Sequence, residues 1–141
     1  MFHQNASQVI NLGIAGSLDK NIQLGEIYSI RKVFREGVAP NSFPVFRSFD
    51  DTAQADCITA EKRVVEKSYA TSLAPFAPIA DRELWAIASV CSRFNLPFRA
   101  YKLISDRAGE DTDTSGIKRR ALEFSSRLYE YYCAYERENR L

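Results

Sequence analysis

The stretch from Asp81 to Asp106 constrains this chain more than any other. Leu84, Ile87, Ala88 and Cys91 recur at spacings of three and four, the period of one apolar helical face. Asp81 and Glu83 suit the positive end of such a helix, and Asn95 and Pro97 stop it, which predicts a helix over about 81–94. Phe98 to Ile104 then reads as a strand, with Phe98, Ala100 and Lys102 opposed to Arg99, Tyr101 and Leu103, breaking at Ser105-Asp106. A helix, a short turn, a strand and a carboxylate at the strand's carboxyl end form the signature of an α/β domain, in which ligands bind outside strand ends.

The rest of the chain supplies further strands. Gln8 to Leu12 is a β-favouring run that ends at Gly13-Ile14-Ala15-Gly16-Ser17, read as a tight small-residue loop that a ligand can approach. Glu26 to Phe34, with Ile27, Tyr28, Ile30, Val33 and Phe34, predicts a second strand. Arg35 to Ala55 holds Gly37, Pro40, Asn41 and Pro44 and reads as an irregular excursion. In it Phe43, Phe46 and Phe49 serve better as anchors to the core than as a pocket lining. Asp56 to Val65 is ambiguous between strand and helix. Asp111, Thr112, Asp113 and Thr114 offer N-caps for a long terminal helix with Ile117, Ala121, Phe124, Leu128 and Tyr132 on one stripe and Arg137 and Arg140 at its end. That stripe is read as core packing or a subunit contact, without chemistry.

Composition narrows the function classes. At 141 residues, 45% hydrophobic and 26% charged, residues 1–141 are expected to form one domain. A formal charge of +1 gives no field toward nucleic acid or an anionic membrane. The apolar runs are too short for a membrane helix and the start has no signal-like segment, so a cytoplasmic location is expected. Cys57, Cys91 and Cys133 are odd in number and widely spaced, matching free thiols better than disulfides or a zinc site. His3 is the only histidine, which argues against Ser-His-Asp or Cys-His catalysis and against a histidine metal site; no cofactor and no metal are expected.

By themselves, a glycine-rich segment and two carboxylates occur in many α/β domains. Three ordered blocks carry more information. The first is Val9-Ile10-Asn11-Leu12-Gly13-Ile14-Ala15-Gly16-Ser17-Leu18 followed by Ile22-Gln23-Leu24-Gly25-Glu26-Ile27; the second is Ala80-Asp81-Arg82-Glu83-Leu84-Trp85-Ala86-Ile87-Ala88; the third runs from Pro97-Phe98 through Lys102-Leu103-Ile104-Ser105-Asp106-Arg107-Ala108. Together, over residues 8 to 108, they resemble the nucleoside phosphorylase and nucleosidase superfamily, most closely its methylthioadenosine nucleosidase type. The departures are Glu26 in place of an aspartate and Arg82 in place of a methionine.

The resemblance implies a three-layer α/β fold with a mixed central sheet flanked by helices. It also implies a homodimer and a small-molecule nucleoside as partner. Family members carry a βα segment before the glycine run, including an acid that positions water, so the expected fold is N-terminally truncated: the C-terminal two-thirds, with an exposed sheet edge. The resemblance assigns Asp106 as the acid that protonates the leaving base. Glu83 accepts hydrogen bonds from ribose hydroxyls, and Ile14, Ala15, Gly16, Arg82 and Ser105 are further substrate contacts. Read without it, Glu83 is an ordinary acid at a helix start, and Arg82 pairs with Asp81 or Glu83. The base is expected against Cys57 to Ala60. Because Asn11 to Gly16 offers no cation for phosphate, the implied reaction is hydrolysis of an adenosine-type nucleoside. A non-catalytic nucleoside-binding module and a phosphate-dependent phosphorylase remain the alternatives.

Overall fold

A computed structural model describes residues 6–37, 45–110 and 114–139. Phe43, Pro40, Asn41, Pro44, His3, Arg140 and the N-cap candidates Asp111, Thr112 and Asp113 lie outside the described residues. Strands β1 (Val9–Ser17), β2 (Ile27–Arg35), β3 (Phe46–Arg47) and β4 (Ala55–Thr59) are followed by helix α1 (Lys67–Leu73) and β5 (Ile79–Asp81). Then come α2 (Leu84–Arg93), β6 (Phe98–Arg107), α3 (Thr114–Arg119) and α4 (Ala121–Asn139).

The sheet is mixed, in the order β3-β2-β4-β5-β1-β6, and it closes on itself because β2 also pairs with β6 through Ile27 to Ser29. β1 and β6 run parallel to one another, β2, β4 and β5 likewise, and the two groups meet where β5 pairs antiparallel with β1. That junction is short, Gly16 opposite Ala80 and Ser17 opposite Ile79, so the carboxyl ends of oppositely directed strands converge there. From Val9 to Ala15, β1 has a strand partner on the β6 side alone among the described residues.

Strand alternation places the helices. Cys57 and Ile79 join Leu84, Ala88 and Cys91 of α2 in the main core, while their neighbours Ile58 and Ala80 face Leu73 of α1. On β6, Phe98, Ala100 and Ile104 join the main core and Leu103 packs on Phe124 and Leu128 of α4. The terminal helix read as one is two, α3 and α4 with Arg120 between them; of its stripe, Ile117 lies on α3, Phe124 and Leu128 bury α4, and Ala121 is exposed. Phe46 anchors its segment by stacking on Trp85, with ring centroids 4.6 Å apart, whereas Phe49 is exposed.

Three other expectations change. Residues 13–17 are strand and not a loop; neither Gly13 nor Gly16 has a positive φ, and both are small because other groups crowd them. The helix over 81–94 begins at Leu84, since Ile79 to Asp81 are taken by the sheet as β5. β6 does not stop at Ser105 but continues to Arg107 through an irregularity: Ala15 pairs with Ile104, Gly16 with Asp106, and Ser105 is the extra residue.

Gly109 ties the end of β6 to the segment before α1. Its φ is +80°, its N–H donates to the Val64 carbonyl at 3.1 Å, and a Cβ there would stand 2.6 Å from that of Ala70. Gly109→Ala is expected to cost about 2 kcal/mol or more in urea unfolding, combining left-handed strain with a clash. An unchanged midpoint would show that this junction is slack.

Candidate functional site

All seven residues singled out from the sequence line one cavity of about 190 Å³: Ile14, Ala15 and Gly16 from β1, Arg82 and Glu83 between β5 and α2, and Ser105 and Asp106 from β6. The cavity sits where the carboxyl ends of β1, β5 and β6 meet. Ser105, Asp106 and Ile117 also border a larger neighbouring cavity of about 810 Å³ between β6 and α3.

The extra residue in β6 sets up the acid. A bulge rotates the side chains around it and ends regular pairing, a device that re-aims a functional group. Ser105 Oγ lies 2.6 Å from Asp106 Oδ1, to which it donates, and 3.3 Å from the Ala15 carbonyl oxygen. A methyl group on Gly16 would stand 3.2 Å from the Ala108 Cβ and 3.6 Å from Asp106 Oδ2, so glycine leaves room beside the carboxylate.

Asp81 frees Glu83. The Glu83 side chain makes no capping hydrogen bond although it stands at the N-cap of α2. Instead Asp81 Oδ2 accepts from the backbone N–H of Leu84 at 2.8 Å and of Glu83 at 3.3 Å. The reading of Glu83 as an ordinary helix-start acid therefore fits Asp81 better. Arg82 does not pair with Asp81: its guanidinium reaches the Glu61 carbonyl at 3.5 Å, and the Asp81 carboxylate is held elsewhere.

That partner is Lys102, which sequence reasoning placed on a strand face without a role. Its ammonium lies 3.0 Å from Asp81 Oδ2, with the two side chains 2% and 0% exposed. Thr59 Oγ1 donates to Asp81 Oδ1 at 2.7 Å and accepts from the Trp85 N–H at 2.9 Å. Gly13 makes way for the lysine, since a Cβ there would stand 3.1 Å from Lys102 Nζ. A lysine sharing strand parity with Phe98, Ala100 and Ile104 was the available signal, because a charge on an apolar face requires a buried counter-charge.

None of Cys57 to Ala60, where the wall against the base is expected, lines this cavity, whereas Arg63 and Val64, five residues beyond the end of β4 or fewer, do. Cys57, Ile58 and Ala60 are buried in the cores. Burial pushes the Cys57 thiol well up, and the nearby Asp81 carboxylate adds to this, so Cys57 stays a neutral thiol. Among the described residues no group of three or more His, Cys, Asp or Glu side chains could hold a metal ion.

No protein-family model and no curated protein matches this sequence. Solved structures do match in shape. A nucleosidase (MTAN) from Chlamydia trachomatis superimposes with a TM-score of 0.69 at 20% identity, over 94% of this chain and 65% of that one. Native futalosine hydrolase of Helicobacter pylori gives 0.72 at 15% identity, over 88% and 66%. A 5'-methylthioadenosine/S-adenosylhomocysteine nucleosidase from Colwellia psychrerythraea, solved with adenine, gives 0.68 at 19% identity, over 80% and 59%. This chain has their fold. It spans about two thirds of their length or somewhat less.

Removing one member of a buried ion pair strands the other charge. Lys102→Met is expected to destabilise the fold by about 3–5 kcal/mol in urea titration. Adding Asp81→Asn should recover part of that loss, because the amide oxygen still accepts from the start of α2. A Lys102→Met variant as stable as the parent would mean that the pair holds nothing together.

Proposed function

We propose that this chain binds a purine nucleoside in the cavity between β1, β5 and β6 and belongs to an N-glycosidic hydrolase. The observation that carries the reading is the convergence of Asp106, Ser105, Glu83 and the Gly16 backbone on one cavity, in a fold shared with nucleosidases. Breaking an N-glycosidic bond leaves positive charge on the sugar and sends the bonding electrons to the base. Asp106 is the group that passes a proton to the departing base. Glu83 faces the ribose hydroxyls and supports the cationic sugar. Ile14, Ala15 and Gly16 lie along the nucleoside, and Arg82 stands at the sugar end. Water adds to the anomeric carbon, and the proton it releases returns to Asp106 through solvent.

A second reading, binding without cleavage, draws support from the carboxylates. Asp81, Glu83 and Asp106 line the cavity, and Asp81 is already committed to Lys102, Thr59 and the α2 N–H groups. That leaves base protonation and ribose contact covered and the activation of water uncovered. A phosphate-dependent reaction is the third reading, with Arg63 and Arg82 as the cations on the cavity.

A homodimer in the cytoplasm completes the proposal. The half-paired β1 edge, and Leu122 and Tyr129 exposed seven residues apart on α4, support association. The described cysteines Cys57, Cys91 and Cys133 are all free, in keeping with a reducing compartment. Light scattering at micromolar protein should give twice the chain mass; a monomer would remove the dimer from the proposal.

Base release from adenosine-type nucleosides, followed chromatographically, tests the chemistry. It should proceed equally with and without phosphate. Asp106→Asn should lower it by about 10²–10⁴-fold. Glu83→Gln should lower it about tenfold or more, chiefly as a weaker hold on the ribose. Dependence on phosphate would select the phosphorylase reading. Nucleoside binding without any base release would select the binding module.

A further inference from the structure

The amino end of β6 borders a second cavity of about 600 Å³ with no part in the proposed site. It lies between that strand, the Phe49 to Gln54 segment and the end of α4. Tyr101 and Asp106 are five residues apart on β6, which separates the two cavities by roughly 15 Å or more along the strand.

This second cavity contains two buried polar atoms, on the neighbouring side chains of Tyr101 and Arg99, that lack a well-formed hydrogen bond. Tyr101 is 2% exposed, and its hydroxyl and the Arg99 Nε are both buried without one. Such groups are rare in folded proteins and are costly unless something satisfies them. Around them the wall is aromatic: the Tyr131 and Tyr135 rings lie 5.1 and 5.7 Å from that of Tyr101, each tilted by about 50°, and the Arg99 guanidinium sits 5.4 Å from the Tyr135 centroid. A volume of this size, aromatic walls and a few convergent polar groups are the usual makings of a small-molecule site.

Charge narrows the occupant. Arg99 Nε donates only, and the Tyr101 phenol remains a donor: burial pushes it up to about 12, with the neighbouring Arg99 guanidinium working the other way. Both therefore call for an oxygen acceptor. Asp50, Asp51 and Glu138 border the same cavity, and Asp50 is near enough to raise both Tyr101 and Tyr131. An anion would meet these carboxylates, and a cation would meet the Arg99 guanidinium. A flat, uncharged ring with a carbonyl beside an N–H satisfies both: the carbonyl takes the two donors, the N–H meets a carboxylate and the ring lies against tyrosine.

We propose that the cavity bounded by Arg99, Tyr101, Tyr131, Tyr135 and Asp50 is a second small-molecule site, for an uncharged planar cyclic amide. It stands independently of the nucleosidase reading.

Calorimetric titration of the full chain with uracil as the neutral amide, benzoate as the anion and benzamidine as the cation tests this. Uracil should bind saturably, at about millimolar strength or better, and more tightly than the other two. Tyr101→Phe, which keeps the ring, and Arg99→Met should each weaken uracil about tenfold, the worth of one hydrogen bond. Asp106→Asn should leave its affinity unchanged. Circular dichroism melting of each variant separates lost binding from lost folding. Absence of saturable uracil binding, tighter binding of benzoate or benzamidine, full affinity in folded Tyr101→Phe and Arg99→Met, or loss in Asp106→Asn would each overturn the proposal.

Discussion

The ion pair between Lys102 and Asp81 is the constraint around which the site is arranged. Two charges removed from water are tolerated only if each finds a full set of partners. Asp81 has an ammonium, a hydroxyl and two backbone N–H groups. Meeting that demand joins three strands and a helix: β6 brings the lysine, β5 the aspartate, β4 the threonine, and α2 starts on the carboxylate. Gly13 of β1 is small where the ammonium passes. The pair is thus a structural requirement that also shapes the cavity, since it fixes where α2 begins and releases Glu83 from capping.

The acid is positioned by a different device. A regular β6 would continue to alternate past Ile104, whereas the extra residue Ser105 shifts register against β1 and brings Asp106 opposite Gly16. The Ser105 hydroxyl then holds one carboxylate oxygen. Of the three carboxylates of the cavity, Asp81 is held by a buried ion pair and Asp106 is set by a bulge.

β6 is the common frame of both cavities. Its carboxyl end carries Ser105 and Asp106, while Arg99 and Tyr101 near its amino end face α4 and the Phe49 to Gln54 segment. Alternation makes this possible, because residues of one parity fill the main core and those of the other meet the last helix.

Much was legible in the sequence. The apolar period of α2, the stop at Asn95 and Pro97 and the parity of β6 are local patterns, and each folded much as read, whereas the terminal stripe is divided between α3 and α4. The seven candidate residues were singled out through three ordered blocks, and the structure brings all of them to one cavity. What sequence missed depended on partners distant along the chain. Asp81 does serve the start of α2 as read, but its place in β5 and its bond to Thr59 depend on residues more than twenty positions away. Gly13 to Ser17 looked like a loop because glycine marks turns, yet here it makes room for Lys102 and Asp106. The sequence by itself determined periodicity, polarity and which residues are candidates for chemistry, the first two because they follow from neighbours within a few positions. Only the tertiary structure decided which charges pair, where α2 starts and which way Asp106 points, because desolvation and register are settled by groups that meet only once the sheet has closed.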